Sequence, residues 1–339
     1  MKCKGAFVYA VLLVCVVAIN GNYQLSFTAP FTTYDSSGHR YIENWECRGD
    51  AVINEYFVRL TPDRQSKNGY CWSRKTFTNA EWVTTIKFRI SGQGANLFGD
   101  GFAVFFTQTQ RPRHGKMFGV DDVFQGFAIA FSTFKNKEFA RYHRDIALYV
   151  GDGNTGAFIQ DKDHTGCYAR YRFHEKRQDF SVDNYAVVKI GYSEITGMVR
   201  VAIDEKNTGN YHICIHEHID LPAGWWRKAT IGISATTGQL ADNHDILSVE
   251  TVEGEGDPDR IAVSNPSDRI AASDRRALRE LLEENGVEMS QLTATERGVV
   301  ALMERLQQTQ ELEVDKLKRE VEHTLVGRYF PRGMRGSGG

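Results

Sequence analysis

One acidic residue stands between two glycines in a segment that is otherwise mostly apolar. The stretch "NLFGDGFAVFFTQ", residues 96–108, places Asp100 between Gly99 and Gly101. A carboxylate accepts hydrogen bonds from hydroxyl groups, and flanking glycines avoid side-chain clashes in an unusual backbone conformation. The same three residues are also typical of a tight hairpin turn. Taken alone, the triplet fits a binding carboxylate and a plain turn equally well.

Two further acidic segments could carry chemistry. The segment "DNHD", residues 242–245, contains metal-ligating residue types, but its irregular spacing favours a structural loop. The segment "VETVEGEGD", residues 249–257, contains spaced acids. A glycoside hydrolase needs two carboxylates about 5–9 Å apart, usually on one strand. These acids lie where the strand pattern ends, and no strand reads Glu-x-Asp-x-Glu, so we do not expect an enzyme.

The N-terminus predicts entry into the secretory pathway. A cationic start, "MKCKG", is followed by the apolar run "AFVYAVLLVCVVAI" and by Asn20-Gly21. This order predicts a cleaved signal peptide over residues 1–21. A membrane anchor is the less favoured alternative, because the run is shorter than the roughly 18 residues that a spanning helix needs.

Four cysteines remain after that cleavage: Cys47, Cys71, Cys167 and Cys214. The secretory compartment permits disulfides, and four cysteines allow three connectivities. Their clustering, two early and two late, favours Cys47 with Cys71 and Cys167 with Cys214. No C-x-x-C spacing indicates a metal site.

Residues 22–252 read as one β domain. Short segments rich in β-branched and aromatic residues, such as "WVTTIKFRI", "YAVVKIGY" and "ATIGISATT", alternate with Gly, Asn or Asp clusters. This pattern predicts an all-β jelly-roll sandwich. The formal net charge of −2 among 339 residues gives no electrostatic indication of nucleic-acid binding.

The remaining C-terminal residues have a different composition. We predict an acidic linker over residues 253–272, a helical segment over 273–328 and a flexible tail over 329–339. Heptad spacing within the helical segment predicts a coiled coil and self-association; the heptad positions are Val300, Met303, Gln307, Gln310, Val314, Leu317, Val321 and Thr324. A single amphipathic helix docked on the sandwich is the alternative.

Four motifs in order carry a family resemblance over residues 23–252: "YQLSFTAPF", "RLTPDRQSKNGYCW", "FRISGQGANLFGDGFAVFFTQ" and "KATIGISATTGQLADNHDILS". With them the sequence resembles the L-type (legume-lectin-like) cargo lectins of the early secretory pathway, most of all the vesicular integral-membrane branch. The resemblance implies a concanavalin-like sandwich that binds high-mannose N-glycans on glycoproteins, usually with calcium arranging the loops. It also implies that Asp100 lies in the sugar site after a cis peptide bond, where its carboxylate accepts hydrogen bonds from mannose.

The other sugar-binding positions carry over unevenly. Ser66 and Asn136 match the family's serine and asparagine contacts. The family's site histidine aligns with Gln160, although a shifted gap could bring His164 into the site. The family's Gly-Asp-Leu loop reads Gly238, Gln239 and Leu240 in this sequence.

The calcium ligands also depart from the family pattern. The resemblance assigns them to Ser132, the Phe134 carbonyl, Asn136 and Asp163, with Asp161 as an alternative to Asp163. The family has an aspartate where this sequence has Ser132. Calcium prefers several anionic oxygens, so the sequence predicts a weakened calcium site or one that holds a monovalent ion.

The resemblance implies a lectin of the secretory-pathway lumen, in the endoplasmic reticulum or Golgi, or a secreted one, that serves cargo transport or quality control. The chain shows no C-terminal apolar run long enough to cross a bilayer. Three expectations follow: a soluble lumenal lectin, a protein that relies on a membrane-anchored partner, or an incomplete chain. The alternative function is a sandwich that has lost sugar binding and acts as a protein-interaction scaffold.

Overall fold

The computed structural model describes residues 23–254. The predicted signal peptide over residues 1–21, the helical segment over 273–328 and the tail over 329–339 lie outside the described residues, as does the predicted linker beyond Gly254. Our predictions for those segments, including the coiled coil, therefore remain predictions.

The described chain is built from short strands and two short 3-10 helices, as the alternating pattern predicts. The 3-10 helices are Tyr23–Leu25 and Trp225–Lys228. The strands are β1 (Phe27–Thr28), β2 (Trp45–Gly49), β3 (Val52–Ile53), β4 (Val58–Thr61), β5 (Asn68–Ser73), β6 (Glu81–Gly92), β7 (Gly101–Thr107), β8 (His114–Met117), β9 (Gln125–Ser132), β10 (Ile146–Asp152), β11 (Gly166–Cys167), β12 (Arg172–His174), β13 (Ala186–Ser193), β14 (Met198–Asp204), β15 (His212–His218), β16 (Thr230–Thr236) and β17 (Asn243–Glu253).

Within residues 23–254 all of these strands except β8 form two sheets that pack face to face. One sheet has the order β15-β14-β13-β6-β17-β4-β3, with β1 added to β17 and β12 added to β6. The other has the order β11-β10-β9-β7-β16-β5-β2. All pairings are antiparallel except that between β12 and β6. The predicted sandwich is therefore confirmed for the described residues.

The seven-stranded sheet is covered on both faces, which explains why β7 and β9 hardly alternate in polarity. Phe102, Val104 and Phe106 of β7 point into the core between the two sheets. Ala103 and Phe105 of the same strand belong to a second apolar cluster on the opposite face, which residues such as Met117, Phe118 and Phe124 complete. A strand that is buried on both faces reads as a continuous apolar run.

Both predicted disulfides are present. Cys47 and Cys71 are direct partners in the β2–β5 register and are bonded to each other. Cys167 on β11 is bonded to Cys214 on β15. The second disulfide joins edge strands of the two different sheets, so it fixes one side of the sandwich covalently.

Candidate functional site

The strand register brings four loops together at one end of the seven-stranded sheet. Gly101, the first residue of β7, lies opposite Ser132 at the end of β9 and opposite Thr236 at the end of β16. Thr236 in turn lies opposite Asn68, where β5 begins. The residues just outside these strand ends therefore meet, and they include Asp100 and Gly238.

The backbone of Asp100 is held by both neighbouring strands. The Gly99–Asp100 peptide bond is cis, as the resemblance implies. The Asp100 amide donates to the Thr236 carbonyl at 3.3 Å, and the Asp100 carbonyl accepts from the Thr133 amide at 3.0 Å. A Cβ at Gly99 would lie 2.8 Å from the Phe134 Cβ, so only glycine fits this position without a shift of its neighbours.

The carboxyl group of Asp100 is desolvated and available. Burial raises its pKa to about 6. Within residues 23–254, no protein group donates a hydrogen bond to its oxygens. A desolvated carboxylate without a protein donor is stabilised most by donors that a ligand supplies, and sugar hydroxyls are such donors.

The Ser66 loop is fastened to the Gly238 loop. The Ser66 amide donates to the Gly238 carbonyl at 3.0 Å, with Ser66 in the left-handed region at φ 57°. The Gln65 side chain donates to the Gln239 carbonyl at 2.6 Å. A Cβ at Gly238 would lie 3.4 Å from both carboxylate oxygens of Asp100, so the absence of a side chain leaves that carboxylate uncovered. The two loops thus form one wall beside Asp100.

Phe134 and Leu240 flank the glycine that precedes Asp100. A Cβ at Gly99 would lie 3.8 Å from the Leu240 Cβ and would contact the Phe134 side chain. The Phe134 side chain itself is exposed. Of the predicted sugar-binding residues, the contacts thus connect Ser66, Gly238 and Leu240 to Asp100 or its neighbours.

The predicted metal-ligating oxygens are engaged by the protein itself. The Ser132 hydroxyl donates to the Phe134 carbonyl at 3.2 Å, so two predicted ligands satisfy each other. The Asn136 side-chain oxygen accepts from the Glu138 amide at 3.0 Å. Among the described residues, no cluster of three or more His, Cys, Asp or Glu side chains could hold a metal ion.

The loop between β10 and β11 carries the two remaining predicted residues, Gln160 and Asp163, and both side chains are exposed. The Asp163 carboxylate accepts from the Arg144 guanidinium at 2.6 Å. His164 packs against Tyr149, with ring centroids 4.3 Å apart, and its Nε2 donates to the Ile159 carbonyl at 2.5 Å. Burial lowers the pKa of His164, which favours a neutral packing residue.

Sequence reasoning missed Arg144. The residue stands immediately before the Asp145-Ile146 start of a strand, and its partner lies 19 residues further along the chain. No local pattern shows such a pair. The sequence offers one indirect signal for a basic residue here: position 132 is a serine where the family pattern has an aspartate, which changes the charge balance of these loops.

The "DNHD" segment is structural, but the predicted loop is wrong for most of it, because Asn243, His244 and Asp245 belong to β17. Asp242 pairs with Arg172, whose guanidinium lies 3.8 Å from the centroid of the Phe98 ring. The Thr133 hydroxyl also donates to Asp242 at 3.3 Å. Burial raises the pKa of Asp242 to about 6, although the Arg172 guanidinium opposes that rise. Through these contacts the buried Arg172–Asp242 pair holds the segments of Phe98 and Thr133, which lie beside the candidate site.

The rest of the segment is also occupied by protein contacts. His244 shares a hydrogen bond of 2.7 Å with the Thr61 hydroxyl. Asp245 accepts from the guanidinium groups of Arg59 and Arg89, at 2.7 and 2.8 Å. These residues therefore anchor β17 to β4 and β6.

The sequence model of the legume-like lectin family matches residues 20–257, which is more than half of the chain. The chain belongs to the legume-like lectin family. The resemblance to the L-type lectins of the early secretory pathway is thereby confirmed, and it accounts for a sandwich whose polar loops gather at one sheet end.

Relatives of this lectin align with the same part of the chain. The VIP36-like protein of Mus musculus is 30% identical over 230 residues, which are 65% of this chain and 61% of that protein. The vesicular integral-membrane protein VIP36 of Canis lupus familiaris is 31% identical over 225 residues, 64% of this chain and 59% of that protein. The chain therefore matches about three fifths of the length of these relatives.

The solved structures show the same architecture. The exoplasmic/lumenal domain of VIP36 in its Ca²⁺/Man-bound form is 29% identical and has a TM-score of 0.58, with 69% of this chain and 91% of that chain covered. Across residues 23–254, no helix of this lectin has the length and apolar character needed to span a membrane.

Proposed function

We propose that this lectin binds high-mannose N-glycans on glycoproteins in the lumen of the secretory pathway. The observation that carries the proposal is the Asp100 carboxylate, which is desolvated, lacks a protein donor among the described residues and lies against Gly238 where four loops meet. The related VIP36 domain has been solved with mannose bound, which supports mannose as the sugar.

The chemistry follows from the polar groups around that carboxylate. Asp100 would accept hydrogen bonds from mannose hydroxyls, and such bonds to a charged acceptor are stronger than neutral ones. The Asn136 amide would donate to the sugar, since its side-chain oxygen is already engaged by Glu138. Ser66, Gln160 and the Gly238-Gln239-Leu240 loop would complete the site.

We propose cargo transport or quality control in the endoplasmic reticulum or Golgi as the setting. The relative VIP36 is named a vesicular integral-membrane protein, which supports a location in the lumen of secretory compartments. The proposed partners are glycoproteins that carry high-mannose glycans, a second copy of this chain, and a membrane-anchored protein. Because the family members it matches are lectins, the proposal assigns binding rather than catalysis.

The proposal includes no strong calcium site. Its predicted ligands, Ser132, Phe134, Asn136 and Asp163, provide a hydroxyl, a carbonyl, an amide and one carboxylate, and calcium prefers several anionic oxygens. The calcium-bound forms solved for VIP36 show that the related domain can hold the ion.

A glycan array tests the proposal. The full mature protein is applied in calcium and, separately, in chelator, to glycans that range from high-mannose to fully processed complex types. We expect selective retention on high-mannose glycans without cleavage of them. Equal retention on all glycans, or none on any, would contradict the proposal, and retention of other proteins without glycan binding would favour the scaffold alternative.

A further inference from the structure

Arg144 lies in the loop region where the family resemblance places a calcium ion. Its Nη2 donates to Asp163 Oδ1 at 2.6 Å, and its Nη1 donates to the His143 carbonyl at 2.9 Å. The guanidinium carbon also lies 5.5 Å from the centroid of the Tyr168 ring. The Arg144 side chain is only 21% exposed, so most of it is covered by protein.

The predicted ligand set does not fit calcium in this structure. Ser132 contributes a neutral hydroxyl, which donates to the Phe134 carbonyl, and Asn136 contributes a neutral amide oxygen, which accepts from a backbone amide. Asp163 is the one carboxylate in the set, and a protein cation already neutralises it. A calcium ion would have to share the Asp163 carboxylate with Arg144 and would find three neutral oxygens besides.

The contacts of Arg144 also connect both loops that calcium would otherwise order. Asp163 belongs to the loop between β10 and β11, which carries Gln160. Tyr168 contacts both Arg144 and the Lys135 ammonium, which lies 5.7 Å from the ring centroid. Lys135 precedes Asn136 in the loop after β9. One cluster of contacting side chains, formed by Lys135, Arg144, Asp163 and Tyr168, therefore spans both loops.

We propose that Arg144 is a positioning residue that replaces calcium in this protein: its guanidinium neutralises Asp163 and holds the loop after β9 and the loop between β10 and β11 together, so that glycan binding does not require calcium. The statement on glycan binding rests on the proposed function, whereas the statement on the loops does not. Arginine suits this role better than lysine, because its planar fork donates to several acceptors at once.

The contribution of the Arg144–Asp163 ion pair to loop ordering is modest, because Asp163 is 68% exposed. An exposed ion pair of this kind corresponds to an effect of about three- to five-fold on an equilibrium. We expect the consequences of losing Arg144 to be of that order, and to appear in both loops together.

Hydrogen exchange tests the loop part of the proposal in the full mature protein. Arg144→Met removes the charge and keeps a long apolar stem, and Arg141→Met is the matched control, because Arg141 is exposed and donates to Tyr142. Arg144→Met should speed amide exchange in residues 132–139 and 159–165, whereas Arg141→Met should leave the 159–165 segment unchanged. Equal exchange in the two variants would overturn the proposal.

Calcium and sugar titrations test the other part. Calorimetry of the wild type should show no tight calcium binding, and its mannoside affinity should differ by less than about two-fold between calcium and chelator. Arg144→Met should weaken mannoside binding by about three- to five-fold. Adding Ser132→Asp to Arg144→Met frees one carboxylate and supplies another, so calcium should then bind measurably and restore mannoside affinity.

These outcomes distinguish a failure of the role proposed for Arg144 from a failure of the proposed glycan binding. Tight calcium binding by the wild type, or loss of its mannoside binding in chelator, would overturn the role of Arg144. If the wild type binds no mannoside under either condition, the proposed function fails, and the exchange comparison still decides whether Arg144 holds the loops. Arg144→Lys guards against misfolding, because it retains the charge and should show an intermediate exchange rate.

Discussion

At the scale of single residues, Asp100 is the group on which the proposed activity depends most directly. Its carboxylate has no donor among the described residues, and burial raises its pKa to about 6. Asp100→Ala should therefore abolish mannoside binding, and Asn136→Ala should do the same, because each removes a polar contact that no neighbour replaces. Surface plasmon resonance on a high-mannose glycoprotein measures the loss.

The control for that pair is Asp179→Ala, which removes an exposed carboxylate that pairs only with nearby Arg177 among the described contacts. It should bind like the wild type. Circular dichroism should show the same β spectrum in all three variants. If Asp100→Ala and Asn136→Ala both bind normally, the sugar site lies elsewhere in the chain.

The residues of the candidate site differ in how far sequence could predict them. Motifs predict Asp100, Ser66 and Gly238, and the strand register explains why these residues meet: Gly101, Thr236 and Asn68 are partners across three adjacent strands. Arg144 could not be identified this way. Its pairing with Asp163 depends on how two irregular loops fold back, and irregular loops carry no periodicity that a sequence pattern could reveal.

At the scale of elements, the Cys167–Cys214 disulfide should contribute more to stability than Cys47–Cys71. The first joins edge strands of two different sheets, whereas the second joins neighbours that already share backbone hydrogen bonds. Replacing both cysteines of the first pair by alanine should cost about 2–4 kcal/mol of the free energy of unfolding. Urea unfolding of the two paired variants measures the difference, and a larger loss for Cys47/Cys71 would contradict this ranking.

The start of β17 should make the sandwich sensitive to acid through His244. Burial lowers the pKa of His244 to about 3, whereas an unfolded histidine titrates near 6.5. Below pH 6.5 the unfolded state binds a proton that the folded state excludes, so stability is fully present above pH 6.5 and is lost as the pH falls toward 3. Between pH 7 and pH 5 this histidine alone should remove about 2 kcal/mol.

A variant comparison isolates that contribution, because the raised pKa values of Asp100 and Asp242 act in the opposite direction. His244→Gln should lose less stability than the wild type between pH 7 and pH 5, as measured by urea unfolding at both values. His212→Gln is the control, since His212 is exposed on β15. Identical pH dependence in His244→Gln and the wild type would rule out this origin.

The elements themselves were largely predictable, and the exceptions have a physical cause. Alternating strands such as β6 show the period of two that half-buried strands require. The segment "GFAVFFT" lacks this period, because residues on both of its faces are buried, and so only its length and flanking residues indicate a strand. The short strands β3 and β11 have two residues each, which is below what any periodicity can show.

At the scale of the whole molecule, the two ends of the sandwich have different roles. β17 begins beside the candidate site, where Asn243 accepts from the Asp63 amide, and it ends at Glu253, which accepts from Thr78. Ten residues of strand separate these points, a distance of about 30 Å. Gly254, the last described residue, therefore lies at the end of the sandwich opposite Asp100.

The heptads between Val300 and Thr324 predict a multivalent protein. Its predicted core includes a polar layer at Gln307 and Gln310, a pattern that can associate but not tightly. A site with modest affinity for one glycan gains avidity when several sandwiches share a stalk, because the second contact becomes intramolecular. We therefore expect the full mature chain to be an oligomer, and residues 22–252 alone to be a monomer.

Sedimentation velocity of the two proteins at micromolar concentration decides the assembly, and binding to a multivalent high-mannose glycoprotein decides its consequence. Both proteins should bind a single mannoside equally, since the candidate site lies entirely within residues 23–254. Only the longer protein should retain the multivalent glycoprotein through extended washing, because avidity slows dissociation by a factor of about 10²–10⁴. A monomeric full-length chain would instead favour a C-terminal helix that packs on its own sandwich, and retention would then be equally brief for both.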